Sequence, residues 1–226
     1  EVPARASASA SGASEVPARA SAPASGAAWL RELFRGFGTI GFISVAVWFF
    51  MVGGTRNAFQ SLWGGRYFTQ ALLFSADQSS LFLTSLSLGC LFGALLFGRL
   101  TDRYGSFPLL LATGGGIAGI WVIYMISANA LVLTVLSFLL GFLGAGGYSS
   151  GLASMKLFTA PERNGTATGI MNCCGFVGCA IFTQASALFM EAVGGSVKGQ
   201  YVALLWLFAI FCLAAGVAAY LFNRNR

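Results

Sequence analysis

Histidine is absent from this sequence, and only seven of its 226 residues are acidic. The first absence removes imidazole general bases, histidine-ligated haem and most zinc chemistry. Charge of either sign is scarce: 9% of residues, against roughly 25% in an ordinary soluble domain. The few charges are also bunched. None occurs between Arg35 and Arg56, Asp77 and Arg99, Arg103 and Lys156, Arg163 and Glu191, or Lys198 and Arg224. A bilayer core needs about 20 apolar residues per helix. Four of these gaps fit one helix each. The long gap from Arg103 to Lys156 fits two, divided by a polar hairpin at Ser127-Ala128-Asn129.

What is present is apolar. Hydrophobic residues make up 57% of the chain. The runs are continuous, which excludes the alternating pattern of a membrane β-barrel. The fold class is therefore all-α integral membrane, with six transmembrane helices at about 36–62, 79–98, 107–126, 130–154, 165–190 and 201–223. With the N-terminus inside, the cytoplasmic segments hold Arg31, Arg35, Arg99, Arg103, Lys156, Arg163, Arg224 and Arg226, and the outer ones only Arg56, Arg66 and Lys198. This asymmetry predicts a multi-pass protein with both termini cytoplasmic, in a plasma or inner membrane. The basic excess is thereby topological, and no nucleic-acid partner is expected.

Residues 1–28 are different material. Glu1-Val2-Pro3-Ala4-Arg5-Ala6-Ser7-Ala8 recurs as Glu15-Val16-Pro17-Ala18-Arg19-Ala20-Ser21-Ala22. An Ala/Ser/Pro-rich repeat without an apolar face predicts disorder. It is a tail or linker ahead of a membrane domain at 29–226. The five cysteines, Cys90, Cys173, Cys174, Cys179 and Cys212, all fall in apolar runs without metal spacing. They read as small buried hydrophobes, and no metal or cofactor is expected. Glycine patterns such as Gly89-xxx-Gly93, Gly115-xxx-Gly119 and Gly141, Gly144, Gly146, Gly147 supply small faces for close helix packing. Gly147-Tyr148-Ser149-Ser150-Gly151 fits a hydrolase motif in letters, but it lies in an apolar helical run with no histidine to serve it. An enzyme is not expected.

The most informative stretch joins the second and third helices: Gly98-Arg99-Leu100-Thr101-Asp102-Arg103-Tyr104-Gly105. It resembles the signature loop of the major facilitator superfamily, Gly-x-Leu-x-Asp-Arg-x-Gly. Ser106-Phe107-Pro108 replaces the basic pair that follows in the fuller form, as in the degenerate second copy of that motif. Ser61 to Tyr67 is similar to the outer end of the family's seventh helix, and Ala160 to Asn172 to the loop before its eleventh. The resemblance, from Trp29 onward, implies a major-facilitator-type half bundle corresponding to helices seven to twelve.

From that resemblance follow a membrane transporter of alternating access, a small-molecule substrate and a second six-helix half as partner. Gly98, Asp102, Arg103 and Gly105 would form a conformational clasp. Helices one, two, four and five would line the cavity, with Arg56, Asn57, Gln60, Tyr148, Asn172 and Gln184 as candidate contacts. Arg56 either anchors the first helix in the outer headgroups or sits at membrane depth; if buried, it implies an anionic substrate. No lining helix carries an interior Asp or Glu. A non-transporting six-helix scaffold or regulatory subunit is the competing reading.

Overall fold

The computed structural model describes residues 37–225. The expected disorder at 1–28 lies outside them. Six helices are long and apolar enough to cross a membrane: α1 Ile40–Ala71, α2 Ala76–Tyr104, α3 Ser106–Ile126, α4 Ala130–Leu157, α5 Pro161–Val193 and α6 Val197–Leu221. The last turn of α4, Met155–Leu157, and the first of α5, Pro161–Arg163, are tighter 3-10 turns. Among the described residues there is no strand.

Polar residues mark where helices begin. The hydroxyl of Ser75 accepts from the Gln78 N–H, and the Gln78 side chain reaches back to the Ser75 N–H. The Asn129 carbonyl oxygen accepts from the Leu131 and Val132 amides. Ser196 accepts from Gly199. Each cap satisfies amides that the first helical turn leaves free.

Two boundaries differ most from those the sequence suggests. α1 does not stop near residue 62 but continues to Ala71. Gly64-Gly65-Arg66 looks like a helix end, yet Tyr67 and Phe68 beyond it are buried, which holds the chain helical. Trp63 and Tyr67 are core residues and not interfacial aromatics: Trp63 packs near Tyr201, and the Tyr67 hydroxyl donates to the Tyr124 carbonyl at 2.5 Å. α2 likewise runs past 98 to Tyr104, so most of the expected loop is helix.

α4 packs along α2 and α3, α6 along α3 and α1, and α5 on α1. α1 is the most enclosed helix, with 67% of its apolar window buried; α2 and α5 are the most open, at 28% each. Phe59, Tyr67, Phe68, Trp121 and Tyr124 form an aromatic cluster between α1 and α3. At the opposite end of α1, the Asn223 amide donates to Ser44 Oγ at 2.9 Å, so the start of α1 and the end of α6 lie together.

Three π-helical stretches interrupt α1, at Phe49–Gly53, Phe59–Trp63 and Tyr67–Ala71. Such stretches are uncommon and concentrate at functional positions. The first leads directly into the turn that carries Arg56.

Candidate solute site

Arg56 stands sixteen residues after Ile40 and fifteen before Ala71. At 1.5 Å per residue this is roughly 24 Å along the helix, near its middle. Its Nη1 donates to the Cys90 sulfur of α2 at 3.0 Å, and Nη2 to the Asn57 Oδ1 at 2.5 Å. Its Nε is buried without a hydrogen-bond partner. The side chain passes Gly144 of α4 so closely that a Cβ there would strike the Arg56 Cδ. The guanidinium therefore lies between α1, α2 and α4.

Tyr148 follows Gly144 by one turn on α4. Its ring packs on Phe49 with centroids 4.5 Å apart and on Trp48 at 6.2 Å. Trp48 is itself fixed by its indole N–H, which donates to the Leu110 carbonyl at 3.1 Å. The Tyr148 hydroxyl sits over Gly53 of α1 and Gly175 of α5, and both Arg56 and Asn57 act on it electrostatically. Only glycine at 53 and 175 leaves room for it.

Arg56, Asn57 and Tyr148 thus meet at one place. Gln60, four residues beyond Arg56, donates to Ser87 Oγ of α2 at 3.4 Å and extends the polar wall. Asn172 lies three residues before Gly175 on the same helix face and is half-buried. Gln184 does not belong to the group. It stands about two and a half turns past Gly175, hence on the opposite face, and is exposed. The sequence did not single out Cys90 or Gly144. Gly144 does fall in a glycine run one turn from Tyr148, which is the signal that could have found it. Among the cysteines only Cys212 is buried; Cys90, Cys174 and Cys179 are half-buried and Cys173 exposed, which corrects their reading as core residues. No group of three or more metal-ligating side chains gathers among the described residues.

A second set of residues sits where α2 turns into α3. Gly105 has φ +82°, a conformation open to glycine at little cost, and its N–H closes the helix on the Thr101 carbonyl at 2.9 Å. Asp102 and Arg103 are exposed, with the Arg103 guanidinium 5.2 Å from the Tyr104 ring centroid. A Cβ added at Gly98 would meet no described atom of another helix within 4 Å. Thr101, in the same turn, is buried and shares a 2.8 Å hydrogen bond with Ser150 of α4. A cavity of about 230 Å3 opens beside the turn, between Tyr104, Phe107, Leu157, Tyr220 and Arg224.

The family model of the Major Facilitator Superfamily matches residues 45–226. The chain belongs to the major facilitator superfamily. A search of curated proteins finds no match. With its six apolar helices this facilitator is a half-domain of that fold and a multi-pass membrane protein of the transporter type. Members of the superfamily are transporters and not enzymes. Ser149 of the hydrolase-like motif lies within α4, its hydroxyl donating to the Ala145 carbonyl at 3.1 Å.

Proposed function

We propose that this facilitator moves a small anionic solute by alternating access, and that its six helices act together with a second six-helix half. The observation that carries the reading is the depth of Arg56. A charged side chain at the centre of a membrane helix costs about 2.5–3.5 kcal/mol on insertion scales. Here the charge meets a thiol and an amide in place of a carboxylate. A cation kept at depth with such weak partners is a functional group by default. Asn57, Gln60, Tyr148 and Asn172 supply hydrogen-bonding groups around it. The fifteen residues of α1 beyond Arg56 support this reading over a headgroup anchor.

The second half is supported by the open sides of α2 and α5, which expose Leu88, Leu91, Leu95, Phe176, Ile181 and Leu188. It is supported too by the outward-facing turn of Gly98, Asp102 and Arg103, which would grip that half in one conformation and release it in the other. The half described here then corresponds to helices seven to twelve, with Arg103 and the end of α6 cytoplasmic, in a plasma or inner membrane.

The test is uptake of a panel of carboxylates, sulfonates and phosphates into vesicles from cells expressing the facilitator. Saturable uptake of one of them, lost with Arg56→Gln at equal abundance, is expected. Uptake that matches empty vesicles across the panel would sink the anion carrier and favour a scaffold. Labelling that places Arg103 and Asn225 on opposite faces would overturn the orientation.

A further inference from the structure

We infer that the solute is a monovalent oxyanion, one carboxylate or sulfonate on a small body, and that Cys90 lies against it. The inference rests on the anion reading of Arg56 and narrows it.

Among the described residues, one cation stands at this site. Arg66 is exposed near the Ala71 end of α1, 5.8 Å from the Trp63 ring centroid. Arg99 is nine residues from Cys90 along α2, roughly 13 Å away by helix rise, and Lys156 is eight residues past Tyr148. Neither reaches the guanidinium. Within this half, one monovalent anion balances the charge of Arg56. A dianion leaves a net negative charge in a low-dielectric place, which is strongly unfavourable.

The donors fit the same solute. A thiol is a weak acceptor, yet it is the partner of Nη1, and Nε has none. An oxyanion is a far better acceptor for a guanidinium. It would displace the Cys90 sulfur from Nη1 and come to rest beside it, with the Tyr148 hydroxyl as a further donor.

Two methanethiosulfonate reagents of similar size test this on the intact chain: the sulfonatoethyl monoanion and the trimethylammonioethyl cation. In each, the cysteine sulfur displaces methanesulfinate, a mixed disulfide forms and the thiol proton passes to buffer. Peptide mapping reads Cys90, with free glutathione reacted in parallel as the reference for each reagent. The anionic reagent should modify Cys90 about 10-fold faster than the cationic one after this normalisation, an enrichment typical of a focused charge. Arg56→Gln should bring the ratio to about one, and Arg56→Lys should retain the anion preference, separating charge from folding. Methanesulfonate should protect Cys90, and ethanedisulfonate at equal concentration should not. A wild-type ratio at or below one, a ratio unmoved by Arg56→Gln, equal protection by the dianion, or failure of both reagents to reach Cys90 would each overturn the inference. Equal protection by the dianion would leave the anion carrier standing, and the uptake panel with Arg56→Gln tests that reading separately.

Discussion

Two helix seams in this facilitator are built on glycine, and they differ in what accompanies it. Between α2 and α4, a Cβ at Gly89 would strike the Phe138 carbonyl and one at Gly141 the Leu86 carbonyl. Between α1 and α5, a Cβ at Gly178 would strike the Phe50 carbonyl, and one at Gly54 the backbone of Gly178. Both seams bring backbones together. Only the first is also pinned by side chains: Ser85 donates to the Thr134 carbonyl at 2.9 Å, and Thr101 bonds Ser150 at 2.8 Å. α1 directs its hydrogen bonds to α2, α3 and α6, through Arg56, Trp48, Tyr67 and Thr55, and none to α5 among the described residues. Lipid tails are as apolar as leucine, so contact area alone holds helices weakly, and a polar pair fixes register. We therefore expect α2 and α4 to move as one piece, and α5 to shift more readily along α1.

The comparison breaks most visibly at Gly141. Gly141→Leu forces a side chain into the Leu86 backbone, where nothing flexible can yield. Overpacking of this kind costs about 3 kcal/mol or more when backbone must move. Expected is loss of a monodisperse folded protein, seen by size exclusion in detergent. A variant that melts like the wild type would show that α2 and α4 are not a rigid unit.

Arg56→Gln comes next and has the opposite sign for stability. Removing the mid-membrane charge relieves an insertion cost of up to about 3 kcal/mol. The thermal midpoint should hold or rise, while uptake and the anion preference at Cys90 disappear. A lower midpoint with a folded protein would make Arg56 a structural residue.

Six spans were legible because their charge-free runs have the length a bilayer demands. The end of α1 was not, because tryptophan and tyrosine serve both at membrane interfaces and in cores. Only the partner at Tyr124 shows which applies to Tyr67. Arg56, Asn57 and Tyr148 were legible as polar exceptions in apolar helices. Gln184 was chosen on the same ground and lies elsewhere, since polarity does not report how a helix is rotated. Cys90 was overlooked for the converse reason: a thiol within an apolar run looks like any small hydrophobe until a guanidinium is found against it.

Gly178→Ala probes the other seam more gently. A single methyl meets the Phe50 carbonyl, and this seam is packed on glycine and the Phe50–Phe182 ring contact. We expect α5 to move outward at about 1 kcal/mol, with slower cross-linking between cysteines placed at 50 and 182 and a folded protein throughout. Cross-linking at the wild-type rate would argue against a movable α5.

The smallest effect belongs to Thr101→Val. It removes the buried hydroxyl pair with Ser150 at the end of α2 that carries Asp102 and Arg103. Interhelical hydrogen bonds in membranes average about 0.6 kcal/mol, because the separated helices find other partners. The midpoint should therefore fall by no more than a few degrees. If Thr101 is what holds the Gly98–Arg103 face in register on α4, the variant should still change the solute concentration that half-saturates uptake, and Thr101→Ser should restore it. A stability loss of this size with unchanged uptake would confine the Thr101–Ser150 bond to packing and leave the α2–α3 turn without a link to the solute site through α4.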